Sequence, residues 1–159
     1  MNYDLTVLVS GMRVNLWSGL YESIDKATKK LFEVIFVGPN FPPIELQNCP
    51  NIKFVRDFGS PSRCKQIGLQ LATGTYTTWA SDDAPFLEGA IDKMFDILFK
   101  GPYFDKNVVT GKYYEGRQIA GSDDLHLSDK YYYLNYHNAT RSPYYPDSWL
   151  IFLTIRSVN

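Results

Sequence analysis

The stretch Gly59-Ser-Pro-Ser-Arg-Cys-Lys-Gln-Ile-Gly-Leu-Gln-Leu-Ala-Thr-Gly-Thr-Tyr-Thr-Thr-Trp-Ala-Ser-Asp-Asp83 decides the fold. Residues 64–72 favour a helix, Thr73-Gly74 ends it, and residues 75–80 read as a strand rich in β-branched and aromatic side chains. Ser81 then leads into two adjacent carboxylates, Asp82 and Asp83. Neighbouring anions repel, and at the tip of a buried strand they are tolerated when a cation sits between or beside them. A hard divalent ion such as Mg²⁺ or Mn²⁺ takes oxygen ligands and often bridges to a substrate diphosphate. The plainer alternative is a polar turn capping the next helix, since Asp before Pro85 is ordinary turn chemistry.

Toward the N-terminus, residues 5–9 form a short apolar run ending at Ser10-Gly11, and residues 33–37 form a second, stopped by Gly38-Pro39-Asn40. Both read as buried strands. Between them Leu20, Ile24, Ala27 and Leu31 recur at helical spacing, with Lys26, Lys29 and Lys30 facing away; Ser18 is the expected cap, with Glu22 in the first turn. Pro42, Pro43 and Pro50 make 38–50 a loop, and 52–55 is a third strand. The order β-α-β-loop-β-α-β predicts an α/β fold: a mostly parallel, Rossmann-like sheet flanked by helices, in three layers α/β/α. In such sheets ligands bind beyond the carboxyl ends of the strands. Ser10-Gly11, residues 38–40, Asp57 and Asp82-Asp83 all fall at such ends.

Toward the C-terminus, residues 85–100 read as one amphipathic helix with Leu87, Ile91, Met94, Phe95 and Leu98 on its apolar side. Residues 107–110, with Tyr113-Tyr114 as a continuation, and residues 149–155 are expected strands. Residues 116–147 are polar and Tyr-rich. Ser122-Asp123-Asp124 repeats the triplet Ser81-Asp82-Asp83 but reads as a solvated turn. His126 and His137 lack ligand spacing. Tyr131-Tyr-Tyr133 suits packing, or stacking on a sugar ring.

At 159 residues the chain is expected to be one domain able to bury its own core. A net charge of -1 gives no electrostatic case for nucleic acid. Cys49 and Cys64 make no disulfide framework and read as reduced thiols of a cytoplasmic protein. No basic segment precedes an apolar one at the N-terminus, and 149–153 is too short to span a bilayer. Any membrane association is therefore expected to be peripheral, on the cytoplasmic face, or through a partner.

The helix, the Ala72-Thr-Gly74 turn, Tyr76 and the acidic pair, in that order, resemble the signature of the family 2 glycosyltransferases. That signature is a basic residue three before a glycine (here Lys65 and Gly68), then Ala-x-Gly-x-Tyr, then an acidic cluster called the DxD motif. The resemblance covers roughly residues 4–100. It implies the GT-A fold and transfer of a sugar from a nucleotide-diphosphate donor to an acceptor hydroxyl, usually with inversion. It implies one domain, with 1–100 as the nucleotide-binding half and 101–159 as part of the acceptor-side half. Family catalytic domains are usually longer, so a truncated or minimal form is expected.

Residue by residue, Asp83 resembles the family's metal-ligating acid and Asp82 the second acid of the pair, with Mn²⁺ or Mg²⁺ as the implied cofactor. Ser81 stands where many members have Asp or Asn. Gly38-Pro39-Asn40 replaces an acidic pair that contacts uracil, and Asn40 can both donate and accept there. Ser10-Gly-Met-Arg13 replaces Pro-Thr-x-Asn. A guanidinium at that strand end suits a bidentate phosphate contact, or else a surface salt bridge. Arg63 and Lys65 add positive charge to a helix start that already favours anions, or are simply solvated. The implied donor-binding set is Ser10, Gly11, Arg13, Asn40, Arg63, Lys65, Ser81 and Asp82. A UDP-sugar is the expected donor, with GDP- and dTDP-sugars as alternatives, and the acceptor is a glycan or other hydroxyl compound.

Inverting transfer needs a carboxylate base for the acceptor hydroxyl. Glu115, Asp123, Asp124 and Asp147 are the candidates, none within a motif. Two other classes stay open: a catalytically incomplete GT-A-like domain that binds a nucleotide sugar or a partner protein, and a sugar-phosphate nucleotidyltransferase, whose Arg-containing loop after the first strand Ser10-Gly-Met-Arg13 faintly echoes. The absence of G-x-G-x-x-G after that strand disfavours a dinucleotide oxidoreductase. An apolar face around 149–155 would be covered in a homodimer.

Overall fold

The computed structural model describes residues 3–100, together with the backbone of four short strands further on. The elements are β1 (Leu5–Ser10), α1 (Trp17–Ala27), β2 (Phe32–Gly38), β3 (Ile52–Arg56), α2 (Pro61–Leu71), β4 (Tyr76–Ser81) and α3 (Ala90–Lys100), then β5 (Val109–Thr110), β6 (Gly116–Gln118), β7 (Leu125–Leu127) and β8 (Phe152–Ile155). Short 3-10 turns lie at Val14–Leu16 and Ile44–Leu46. Two compact units divide the chain. Residues 111–150 form one, in which β6 pairs antiparallel with β7. Residues 1–110 with 151–159 form the other, built on a sheet of order β3-β2-β1-β4-β8-β5. Its first four strands run parallel, and β8 runs antiparallel to β4 and β5.

Strands β1 and β2 carry apolar residues on both faces because each face is covered. Leu5, Val7, Val9, Val34 and Phe36 pack with Trp17, Leu20 and Ile24 of α1 and with Ile91, Phe95 and Leu98 of α3. Leu8, Ile35 and Val37 pack instead with Cys64 of α2. Helices therefore flank the sheet on both sides, and the expected three-layer α/β/α architecture is found. Trp17 anchors the larger core, stacking on Phe36 with ring centroids 4.5 Å apart. Among the described residues, no helix is long and apolar enough to cross a membrane.

Helix ends differ from expectation, for reasons that are not local. Leu16, not Ser18, holds the N-cap position of α1, and Ser18 lies inside the helix. That helix stops at Ala27 because Thr28 turns extended. The Thr28 hydroxyl donates to Asp92 of α3 at 2.7 Å, and the Lys29 N–H donates to the same carboxylate. Leu31 therefore leaves the apolar stripe and is exposed. The helix expected from residue 85 starts at Ala90, after Gly89 takes a left-handed φ of 67°; Leu87 precedes it and is exposed. Residues 107, 108, 113, 114 and 149–151 of the expected strands lie outside the described residues.

At the amino-terminal end of the parallel strands sits a polar clasp. Glu33 is fully buried. It accepts from the Thr6 hydroxyl at 2.7 Å, the Thr73 N–H at 2.6 Å and the Thr73 hydroxyl at 2.8 Å, and pairs with Lys53 Nζ at 2.7 Å. The Gly74 N–H donates to Thr6 Oγ1 at 2.9 Å. A Cβ on Gly74 would lie 2.6 Å from the backbone of Leu5 and Thr6. The Ala72-Thr-Gly74 turn is thus shaped by its seat on β1. Gly74→Ala is expected to destabilise the fold by about 1–3 kcal/mol through overpacking. Urea unfolding would read this as a lower midpoint at unchanged slope; an unchanged midpoint would refute the close approach.

Candidate functional site

Strand order reverses at β1: β2 and β3 lie on one side of it, β4 on the other. The crevice of an open α/β sheet lies at this switch point, beyond the carboxyl ends of the flanking strands. Ser10 and Ser81 are direct register partners across β1 and β4. The residues that follow them, Gly11-Met-Arg13 and Asp82-Asp83, are thereby brought together.

The cation that the acidic pair requires is Arg13. Its Nη2 and Nε donate to Asp82 Oδ1 at 2.5 and 2.9 Å, and its Nη1 pairs with Asp83 Oδ2 at 2.6 Å. Asp82 Oδ2 accepts the backbone N–H groups of both Met12 and Arg13 at 2.6 Å. Asp83 Oδ1 accepts from the Ser81 hydroxyl. The two acids play different parts. The Asp82 side chain is 1% exposed and that of Asp83 40%. Burial alone would push the Asp82 carboxyl up, but the hydrogen bonds from Arg13 and Met12 outweigh it and hold the carboxyl below the usual range. The bond to Asp82 leads the influences that raise the Arg13 pKa.

The neighbouring loops close around this pair. Asn40 Nδ2 donates to the Met12 carbonyl at 2.8 Å, so Asn40 braces the loop after β1. Ser10 Oγ donates to the Pro61 carbonyl, tying the end of β1 to the start of α2. A Cβ on Gly11 would run into the Trp17 indole, and one on Gly38 would fall on the Gly11 carbonyl oxygen. Glycine at both strand ends lets the backbones meet. Ser10, Gly11, Arg13, Asn40, Ser81, Asp82 and Asp83 thus belong to one connected rim.

Arg63 and Lys65 have other attachments. Arg63 Nε pairs with Asp57 at 3.0 Å, and Asp57 also accepts the Gly59 N–H at 2.8 Å, which closes the loop before α2. That N–H, more than Arg63, holds the Asp57 carboxyl low. Lys65 Nζ lies 4.7 Å from the centre of the Trp79 ring, and burial lowers its pKa.

One group escaped the sequence reading. The Arg56 guanidinium, at the end of β3, lies over two phenylalanine rings, 4.6 Å from the Phe41 ring centre and 5.0 Å from that of Phe58. Both rings are more than two-thirds exposed. Arg56 also donates to the Pro39 carbonyl, which joins this stack to the rim through residues 39–40. The signal was faint: two phenylalanines 17 positions apart, each two or three residues past the end of a strand.

The fit of a divalent ion divides the acidic pair. Both oxygens of Asp82 serve Arg13 and the backbone of its loop, so an ion does not fit there with the loop intact. Asp83 is exposed, and its contacts are to one guanidinium nitrogen and one hydroxyl. Among the described residues, no group of three His, Cys, Asp or Glu side chains is placed to hold a metal. An ion at Asp83 would draw its remaining ligands from water and substrate phosphates, which suits Mg²⁺-like chemistry. The base candidates Glu115, Asp123, Asp124 and Asp147 lie outside the described residues.

No protein-family model and no curated protein matches the chain. Among solved structures, residues 1–349 of S. aureus TarS, a glycosyltransferase, are similar in fold, with a TM-score of 0.50 and 18% sequence identity. The match covers 63% of this chain and 32% of that one, so the chain spans about a third of the TarS fragment's length. The likeness shows a glycosyltransferase-like α/β fold.

Proposed function

We propose that the chain is the donor-binding portion of a glycosyltransferase related to family 2. It takes a nucleotide-diphosphate sugar at the carboxyl ends of β1 and β4 and passes the sugar, with inversion and divalent-metal assistance, to a hydroxyl of a glycan or similar acceptor. The observation that carries this reading is the convergence of Arg13, Asp82 and Asp83 at the switch point of a glycosyltransferase-like sheet. That is where the geometry of parallel sheets puts phosphates. The exposed Phe41–Arg56–Phe58 stack supports it too, since a planar base stacks favourably on aromatic rings and guanidinium planes.

In this function Asp82 orients Arg13 and the loop after β1. Asp83 is the residue that would hold a metal, and the ion's contribution there is to neutralise charge on the departing diphosphate. A carboxylate accepts the acceptor's proton, with Glu115, Asp123, Asp124 and Asp147 as the candidates.

Titration calorimetry with UDP-, GDP- and dTDP-sugars, with and without Mn²⁺, tests the reading. One of the three is expected to bind, UDP-sugar first, and Asp83→Ala is expected to remove the metal-dependent part of its affinity. No binding of any donor under any metal condition would refute it. Tight binding without transfer or donor hydrolysis would instead favour a nucleotide-sugar-binding domain that has lost turnover.

A further inference from the structure

We infer that Arg13 competes with the divalent ion for Asp83, so that the chain holds metal only when a donor diphosphate arrives to receive the guanidinium; this rests on the donor-site reading above. Two different holds fix Arg13. Toward the buried Asp82 it is anchored through Nε and Nη2, and that carboxylate is locked in turn by two backbone N–H groups. Toward the exposed Asp83 it makes one ion pair through Nη1. The second hold is the breakable one, because water solvates both ends of it: the Arg13 side chain is 50% exposed and that of Asp83 40%.

Charge decides the sequence of events. Asp82, Asp83 and Arg13 together carry one net negative charge, which opposes a free diphosphate set directly against them. A divalent ion alone would have to enter beside the guanidinium, and like charges at such range oppose it. A donor with its ion resolves both conflicts. The ion takes Asp83, and Nη1 turns to a phosphate oxygen, a partner arginine binds well. Asp82 keeps Nε and Nη2 throughout, so the arginine pivots without losing its anchor. Ser81, which donates to Asp83, holds that carboxylate in place during the exchange.

The metal alone is the first probe. Mn²⁺ titrated into the native chain without nucleotide, followed by electron paramagnetic resonance, is expected to bind weakly. Arg13→Lys keeps a cation for Asp82 but cannot span both acids, and Arg13→Gln removes the charge. Each is expected to tighten Mn²⁺ binding at least tenfold, and Asp83→Asn placed on either background is expected to cancel the gain. Arg13→Lys preserves the buried charge pair, which covers the case where Arg13→Gln fails to fold. Equal Mn²⁺ affinity in the native chain and Arg13→Lys would overturn the inference. A lack of donor binding in every condition would sink the donor reading and the donor-dependent half of the inference, whereas the competition of Arg13 with Mn²⁺ for Asp83 is read separately, since the metal-only comparison of native and variant chains involves no nucleotide.

Discussion

Glu33→Ala is expected to lower the free energy of unfolding by about 3–5 kcal/mol, the usual cost of breaking a buried charge pair from one side. The loss has several parts. Thr6 and Thr73 lose the acceptor for two hydroxyls and one N–H, and the Thr6 hydroxyl is left fully buried. Lys53 keeps 42% of its side chain in solvent and turns outward, which moderates the effect. The same carboxylate makes stability depend on acid. Burial would push the Glu33 carboxyl up, but hydrogen bonds from Lys53, Thr73 and Thr6 outweigh it and hold the carboxyl below the usual range. A folded value below the unfolded one gives stabilisation that is complete above the unfolded value of about 4.3. That stabilisation is lost as pH falls through the folded value. Denaturant unfolding at neutral pH and below about pH 4 should therefore show a smaller acid-induced loss in Glu33→Ala than in the native chain. Equal losses would mean that the glutamate is not ionised when folded.

Asp82→Asn is expected to act at the other end of the sheet, on stability and binding together. An amide matches the carboxylate in size but has one acceptor oxygen, where four donors now converge on two. Its NH₂ would face either the guanidinium or the two backbone N–H groups. The expected loss is about 3 kcal/mol of stability, together with at least a tenfold loss of donor affinity as Arg13 loses its anchor. Thermal melting and nucleotide titration on one preparation read both effects. Native stability with unchanged donor affinity would show that Asp82 sets neither the loop nor the arginine.

The sequence announces β1 and β2 because strands covered on both faces carry apolar residues on both. Residues 5–9 and 33–37 read as strands for that reason, and the order of strands and helices then leaves few topologies. Helix ends were less legible. Leu31 continues the spacing of Leu20, Ile24 and Ala27, yet a carboxylate from Asp92, more than sixty positions on, draws Thr28 and Lys29 out of the helix. The acidic pair was legible as a place needing a cation. The identity of that cation was not, since Arg13 lies 69 positions away and only the pairing of β1 with β4 brings it there. Nor does the Ala72-Thr-Gly74 turn advertise its contacts: its threonine and glycine grip Glu33 and Thr6 at the end of the sheet away from the acids.

That separation has an evolutionary consequence. Three residues of β1, Val7, Leu8 and Val9, stand between Thr6 of the clasp and Ser10 of the rim, about 13 Å of rigid strand. Changes at sites so far apart combine additively when they share no partners. Substitutions at the exposed rim positions 12, 40, 41 and 83 leave the hydrogen bonds of the clasp in place, whereas Gly11 and Asp82 carry a stability cost of their own. Selection for a new ligand and selection for persistence of the fold then act largely on different stretches of the chain and meet at Asp82, which serves both.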